Sequence, residues 1–160
     1  MSSQQRTFQW QNPPLLQGGQ FEGLEFVRSA IAGEIPQPPI NIMMGFTKLE
    51  ASEGTATFTA IPEVCHNNIG TVTAGSFASH WLDQAMAWAV VTKMPEGFFC
   101  TTTQLDVKLT RTITPATGAL RAEAHTLHVG RKTATAEAKL FNSEGTLYAH
   151  GSCCCSVVKL

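Results

Sequence analysis

Charge is scarce in this chain. Only 14% of its 160 residues are charged, while 43% are hydrophobic. That leaves too little polar surface to cover a lone, fully solvated monomer, so a homo-oligomer, a dimer or a dimer of dimers, is expected. The few charges also nearly cancel, to a formal net charge of −1, and the Lys and Arg residues are scattered. The basic footprint of a nucleic-acid-binding protein is therefore missing. No apolar run is long enough to cross a bilayer, and Arg6 precedes Gln-rich sequence where a signal peptide would place an apolar core. The expectation is a cytoplasmic protein with neither a nucleic-acid nor a membrane partner.

A disulfide framework is lacking too. Five cysteines, at 65, 100, 153, 154 and 155, are odd in number, which suits a reducing compartment. The run Cys153-Cys154-Cys155 contains no Cys-x-x-Cys spacing for zinc, and neighbours on a strand point to opposite faces. These thiols read as small buried hydrophobes in a strand, and no metal is expected.

What is present falls into one domain over residues 21–160, preceded by a Gln-, Pro- and Gly-rich stretch, 1–20, expected to be a flexible arm. Leu24, Val27, Ala30 and Ile31 recur at helical spacing and stop at Gly33. The prolines at 36, 38 and 39 then demand an extended segment. Strands are expected over 46–50 and 55–61, with Ser52-Glu53-Gly54 between them. From Gly75 to Val91 the apolar residues Phe77, Ala78, Trp81, Leu82, Ala85, Trp88 and Ala89 run nearly all round a helix, which must be buried on most sides. Four strand-like stretches follow, at 98–113, 119–129, 133–142 and 146–158. Short turns at Pro115–Gly118, Gly130–Lys132 and Ser143–Gly145 suggest a regular antiparallel meander. One long buried helix and then a run of strands is an α+β pattern, an antiparallel sheet wrapped around a single helix.

That buried helix bears an anomaly. Ser76, Ser79, His80 and Asp83 share one stripe of an otherwise apolar cylinder. Burial without a partner raises a carboxylate's pKa, and a positioned carboxylate in a dry cleft suits general-base or nucleophilic work. A stripe facing water, or Asp83 simply paired with His80, meets the same spacing. Gly75 stands where the helix begins, and there the free N–H groups and positive dipole suit a developing oxyanion, as they also suit an ordinary helix entry.

In the order of its features the chain resembles the hotdog-fold thioesterase superfamily, in particular the phenylacetate-pathway (PaaI-like) branch of small acyl-CoA thioesterases. The resemblance runs from about Gly23 to Val158. It rests on His66-Asn67-Asn68 through Gly75 to Leu82-Asp83-Gln84-Ala85-Met86, on Leu105-Asp106-Val107 to Thr114-Pro115, and on Leu120-Arg121-Ala122-Glu123 through Val129-Gly130-Arg131-Lys132 to Leu147-Tyr148-Ala149-His150. The family motif, Asn-Pro-x-Gly-x-x-His-Gly-Gly before a helix with Asp or Glu, aligns without a gap from Asp83. Asn68 then matches the asparagine, Gly75 the first motif glycine, and Ser76 the second. Ala74 stands where the family has histidine, which is a departure. A register shifted by one, with Asn67, Gly70 and Thr73 matched, would need an insertion before Asp83.

The resemblance implies a hotdog fold and hydrolysis of an acyl-CoA thioester, aryl-acetyl or short to medium in its acyl part. Coenzyme A enters as part of the substrate and no cofactor is implied. The implied catalytic residues are Asp83, Gly75, Asn68 and Thr101, the last on a Thr101-Thr102-Thr103 run that is equally ordinary strand filler. Ala74, Ser76, His80 and Thr102 would line the substrate, and Val129, Gly130, Arg131 and Lys132 would meet coenzyme A, although unaided that segment is a charged hairpin turn. The site would lie between two subunits, with the loop and Gly75 from one and Asp83 from the other. Two other readings stay open. One is a hydratase or dehydratase using His80 with Asp83; the other is a hotdog that binds acyl-CoA without turnover.

Overall fold

The computed structural model describes residues 4–11 and 22–160. Helix α1 spans Gly23–Ile31, α2 Pro39–Met43 and α3 Gly75–Val91; the strands are β1 Phe46–Ser52, β2 Thr55–Ala60, β3 Phe98–Leu109, β4 Leu120–Val129, β5 Thr133–Asn142 and β6 Leu147–Lys159. All six strands form one antiparallel sheet in the order β1-β2-β4-β5-β6-β3. The sheet wraps α3, as the hotdog fold requires.

Alternation on the strands decides which face meets the helix. Ala56, Phe58 and Ala60 of β2, Leu120, Ala122 and Ala124 of β4, and Ala134, Ala136, Ala138 and Leu140 of β5 are buried. Most are alanines, so the sheet can approach α3 closely, and the helix answers with Ala78, Leu82, Ala85, Met86 and Ala89. The opposite face is polar. There His125 pairs across to Glu137 at 3.1 Å and Arg121 pairs with Glu123.

The end of α3 is fastened twice. Thr92 Oγ1 donates to the Ala89 carbonyl at 2.6 Å and accepts the Gly54 N–H at 2.7 Å, tying the helix to the β1–β2 turn. Helix α1 sits against the same end. The Gly23 N–H donates to the Met94 carbonyl at 3.0 Å, and a Cβ at Gly23 would fall 1.8 Å from the Val91 carbonyl oxygen, so no side chain fits there.

Three expectations need correction. Strands β3 and β4 are not neighbours in a meander: β3 pairs only with β6, at the sheet edge, and residues 110–119 cross over the sheet end. Pro115–Thr117 is a 3-10 turn within that crossover rather than a hairpin. The proline-rich segment after α1 does not stay extended, because Pro39 occupies the first position of α2, where its missing N–H and fixed φ do no harm. Of the arm, residues 1–3 and 12–20 lie outside the described residues. Residues 4–11 have no regular secondary structure, and Arg6 reaches Glu63 at 3.0 Å and His66 Nε2 at 3.1 Å.

Candidate active site

Helix α3 supplies the central carboxylate. Asp83 is half-buried, and its Oδ1 is sealed from solvent with no hydrogen-bond partner. Beneath it lies the β3–β6 pair, where Thr102 stands opposite Cys155 in register. Burial pushes the Asp83 carboxyl above its ordinary pKa, and the Thr102 hydroxyl acts in the opposite direction by hydrogen bonding to it. Cys100, Cys153 and Cys155 fill the surrounding floor, all facing the helix; Cys153 and Cys155 have their sulfurs 3.8 Å apart. Hydrogen bonding to Cys155, and burial after it, push the Cys100 and Cys153 thiols up and keep both protonated. The cysteine run is thus strand packing, with Cys154 pointing the other way.

The position of Thr102 amends the sequence reading. Cys100 and Thr102 share the helix-facing side of β3, while Thr101 points outward and is exposed. Within one chain it is Thr102, not Thr101, that meets Asp83.

His80 does not pair with Asp83. Its ring packs beside Phe46, with centroids 5.7 Å apart, and its Nε2 is buried without a partner. Burial alone drives its pKa down to about 4, with no opposing pull from the carboxylate three residues on. An acid/base couple of these two side chains is therefore absent from this arrangement.

The other half of the expected site gathers at the start of α3. Asn68 and Gly75 line one cleft of about 340 Å³, together with Thr73, Leu109 and Arg111. The loop before the helix is tightly wound: Asn68 Oδ1 accepts the Gly70 N–H at 2.8 Å, the Asn68 carbonyl accepts the Thr71 N–H at 3.0 Å, and Thr71 takes a φ of 62°. Asn67 and Thr73 form a bridge that closes the loop. Ala74, in the place of the family histidine, is the residue before the first turn and donates its N–H to the His66 carbonyl. His66 is itself 2% exposed and stacks on Phe77, with centroids 4.3 Å apart. Its pKa is lowered, by burial first and by the Arg6 guanidinium second. Being at the first position of the helix, the Gly75 N–H has no acceptor within α3. A Cβ on Gly75 would come 2.6 Å from Leu109 Cδ1, the tip of an exposed side chain, which would have to turn aside. Ser76 is exposed beside it, and Ser79 spends its hydroxyl on the Gly75 carbonyl at 3.0 Å.

The structure therefore brings Asn68 together with Gly75, and Asp83 together with Thr102, but not the two groups together. Eight residues of helix put Asp83 about 12 Å along the axis from Gly75. The hairpin Val129–Lys132 lies at the Asp83 end: Ala134, just after it, pairs with Cys155, and the Lys132 carbonyl accepts the Val157 N–H at 2.9 Å. Arg131 and Lys132 are exposed there. A larger cleft, about 1070 Å³ between the arm and the body, contains none of the residues singled out from sequence. Among the described residues no three or more His, Cys, Asp or Glu side chains are placed to hold a metal ion, and no helix is long and apolar enough to cross a membrane.

A family model described as the thioesterase superfamily matches residues 70–149, half of the chain, from the loop before α3 into β6. The chain belongs to the thioesterase superfamily. The fold agrees with this membership. A phenylacetic acid degradation-related protein of Ralstonia eutropha superposes with a TM-score of 0.73 at 22% identity, covering 81% of this chain and 97% of the other. The PaaI protein of the E. coli phenylacetic acid degradation operon gives 0.70 at 17%, covering 83% and 92%. A mutant PaaI of Thermus thermophilus gives 0.66 at 21%, covering 74% and 98%. No curated protein is detectably similar to the chain in sequence.

Sequence reasoning gave Arg111 no role and named Thr73 only in the shifted register, in the place of the family histidine. Arg111 read as one of the scattered cations. The one available signal for Arg111 was a cation directly following the exposed β3 run, on the chain's way to Pro115.

Proposed function

We propose that this superfamily member hydrolyses acyl-CoA thioesters as a homo-oligomer, with Asp83 as its catalytic carboxylate. The observation that supports this most is Asp83 itself: a half-buried carboxyl with a sealed, unpartnered oxygen and a raised pKa, on the central helix of a thioesterase-family fold. A group so placed is reactive toward a carbonyl or a water, since it has little stabilisation to lose. In this reading the thioester carbonyl points at the Gly75 N–H, where the helix dipole favours negative charge, and Asn68 borders the same cleft. Asp83 either attacks the carbonyl carbon, giving an anhydride that water opens, or takes a proton from the water that attacks. In both routes the coenzyme A thiolate leaves and the acyl group departs as a carboxylic acid.

The separation of Gly75 from Asp83 along one helix supports a site shared by two copies. The unpaired edge of β3, with Leu105 and Leu109 exposed along it, offers the surface on which two copies would join. The Arg131 and Lys132 turn, near Asp83, is then where the phosphates of coenzyme A would be met.

The test is turnover of an acyl-CoA panel followed by thiol release. Asp83→Ala should lower kcat at least about a hundredfold, the size of a positioned acid/base group's contribution. Unchanged turnover would remove Asp83 from the reaction, whereas tight acyl-CoA binding without any thiol release would leave a binding protein. Label in the Asp83 carboxyl after a single turnover in 18O-labelled water assigns the anhydride route, and trapping of an acylated Asp83 with hydroxylamine detects an anhydride that water opens at its acyl carbon, which labels only the product.

A further inference from the structure

The cleft at the start of α3 has more polar character than an oxyanion site needs. Among its lining residues there is one charge, the Arg111 cation, and no carboxylate. Arg111 makes no ion pair with any carboxylate among the described residues. Thr73, on the same wall, is 7% exposed, and its hydroxyl is buried without a hydrogen-bond partner. A buried hydroxyl left unpaired is unfavourable, so it favours a ligand atom that can hydrogen-bond to it. The start of α3 adds its positive dipole to the guanidinium. Donors and positive potential converge, and no carboxylate among the described residues answers them. A volume of about 340 Å³ suits one small group or a short chain rather than a whole coenzyme A.

We propose that this cleft binds an anionic oxygen group of the substrate, held by the Arg111 guanidinium and the Thr73 hydroxyl. The proposal rests on the thioesterase reading, which supplies the thioester whose carbonyl would lie at Gly75 beside it. Two sources share this chemistry: a carboxylate at the far end of the acyl chain, and a phosphate of coenzyme A. Arg111 is a binding residue in either case, since it touches the anion and not the reacting carbon.

The test compares kcat/KM of the wild type, Arg111→Gln and Thr73→Val on three esters: hexanoyl-CoA, glutaryl-CoA and hexanoyl-pantetheine. Loss of a charge-assisted contact should lower kcat/KM about ten- to a hundredfold. A loss confined to glutaryl-CoA supports an acyl carboxylate as the bound group, and a loss on both coenzyme A esters but not on the pantetheine ester supports a phosphate. Thr73→Ser, which keeps the hydroxyl, should restore most of what Thr73→Val loses. Unchanged values for Arg111→Gln on all three esters overturn the proposal, and so does an equal loss on all three, which would mark a folding defect. If the wild type turns over no thioester, the thioesterase reading fails and the cleft is judged separately by calorimetry with glutarate and coenzyme A. Binding weakened tenfold or more in Arg111→Gln supports it, and binding that is absent or indifferent to Arg111 overturns it.

Discussion

The two ends of α3 between Gly75 and Asp83 differ in almost every physical respect. At Gly75 the helix opens onto a polar cleft with free donors, a cation and no carboxylate; two turns later, at Asp83, it presses a carboxyl onto a dry floor of thiols and one hydroxyl. Each end has what the other lacks, since a developing oxyanion needs donors and an attacking group needs a base. Because a helix is rigid, one chain cannot fold these ends onto each other. Complementary halves held apart on a stiff rod are what two-fold symmetry brings together when a second copy is turned end for end.

The sharpest way to break this comparison is to separate the halves by mutation. Asp83→Asn and Gly75→Val should each reduce activity at least about a hundredfold when pure. Dissociated, mixed and reassembled, they should recover about a quarter of wild-type activity, because half of the dimers are then mixed and each holds one intact site. No recovery in a mixture shown to exchange subunits would mean that each site lies within a single chain. A milder change at the same end is Gly75→Ala, whose Cβ would crowd Leu109 while the N–H remains. We expect kcat to fall only a few-fold with KM little changed, because the exposed Leu109 tip can take another rotamer.

At the dry end, Thr102→Val removes the hydroxyl that holds the Asp83 pKa down against burial. The acid limb of kcat/KM should therefore move to higher pH, and an unmoved limb would take Thr102 out of the site. The smallest effect concerns His80, which this comparison leaves out of the chemistry. Its folded pKa of about 4 lies below the ordinary 6.5, so the unfolded chain binds more protons between these values and stability must fall as pH drops from 6.5 to 4. His80→Leu should flatten that part of the pH dependence of Tm while leaving turnover at neutral pH largely intact. A large loss of turnover would return His80 to the active site.

How much of this was legible in the sequence follows from how local each signal is. The bounds of α3 were readable because Gly75 opens a stretch, to Val91, that is apolar nearly all round, and Asp83 stood out because nothing else on that cylinder is acidic. The place of β3 was not readable, since strand alternation fixes which face a residue takes but not which strand it joins, and short turns favoured a meander. The choice between Thr101 and Thr102 turned on strand phase in a run of three identical residues, which composition cannot resolve. Cys100, buried two residues before Thr102, is what settles it. The meeting of Thr73 with Arg111 was invisible for another reason. They are 38 positions apart along the chain and meet only because the crossover after β3 returns past the start of α3.

That crossover has a consequence for how the chain is made. Thr102 and Cys155, the floor beneath Asp83, are 53 residues apart, and β4 and β5 are synthesised between them. While the ribosome is still making those strands, β3 has no partner and Asp83 has no floor. Its carboxyl is hydrated then, and the burial that raises its pKa is complete only when β6 zips onto β3. Long-range pairing of this kind is slow and leaves a strand edge waiting. Of the six strands, β6 is the last to emerge, and it is the one that closes the floor beneath Asp83.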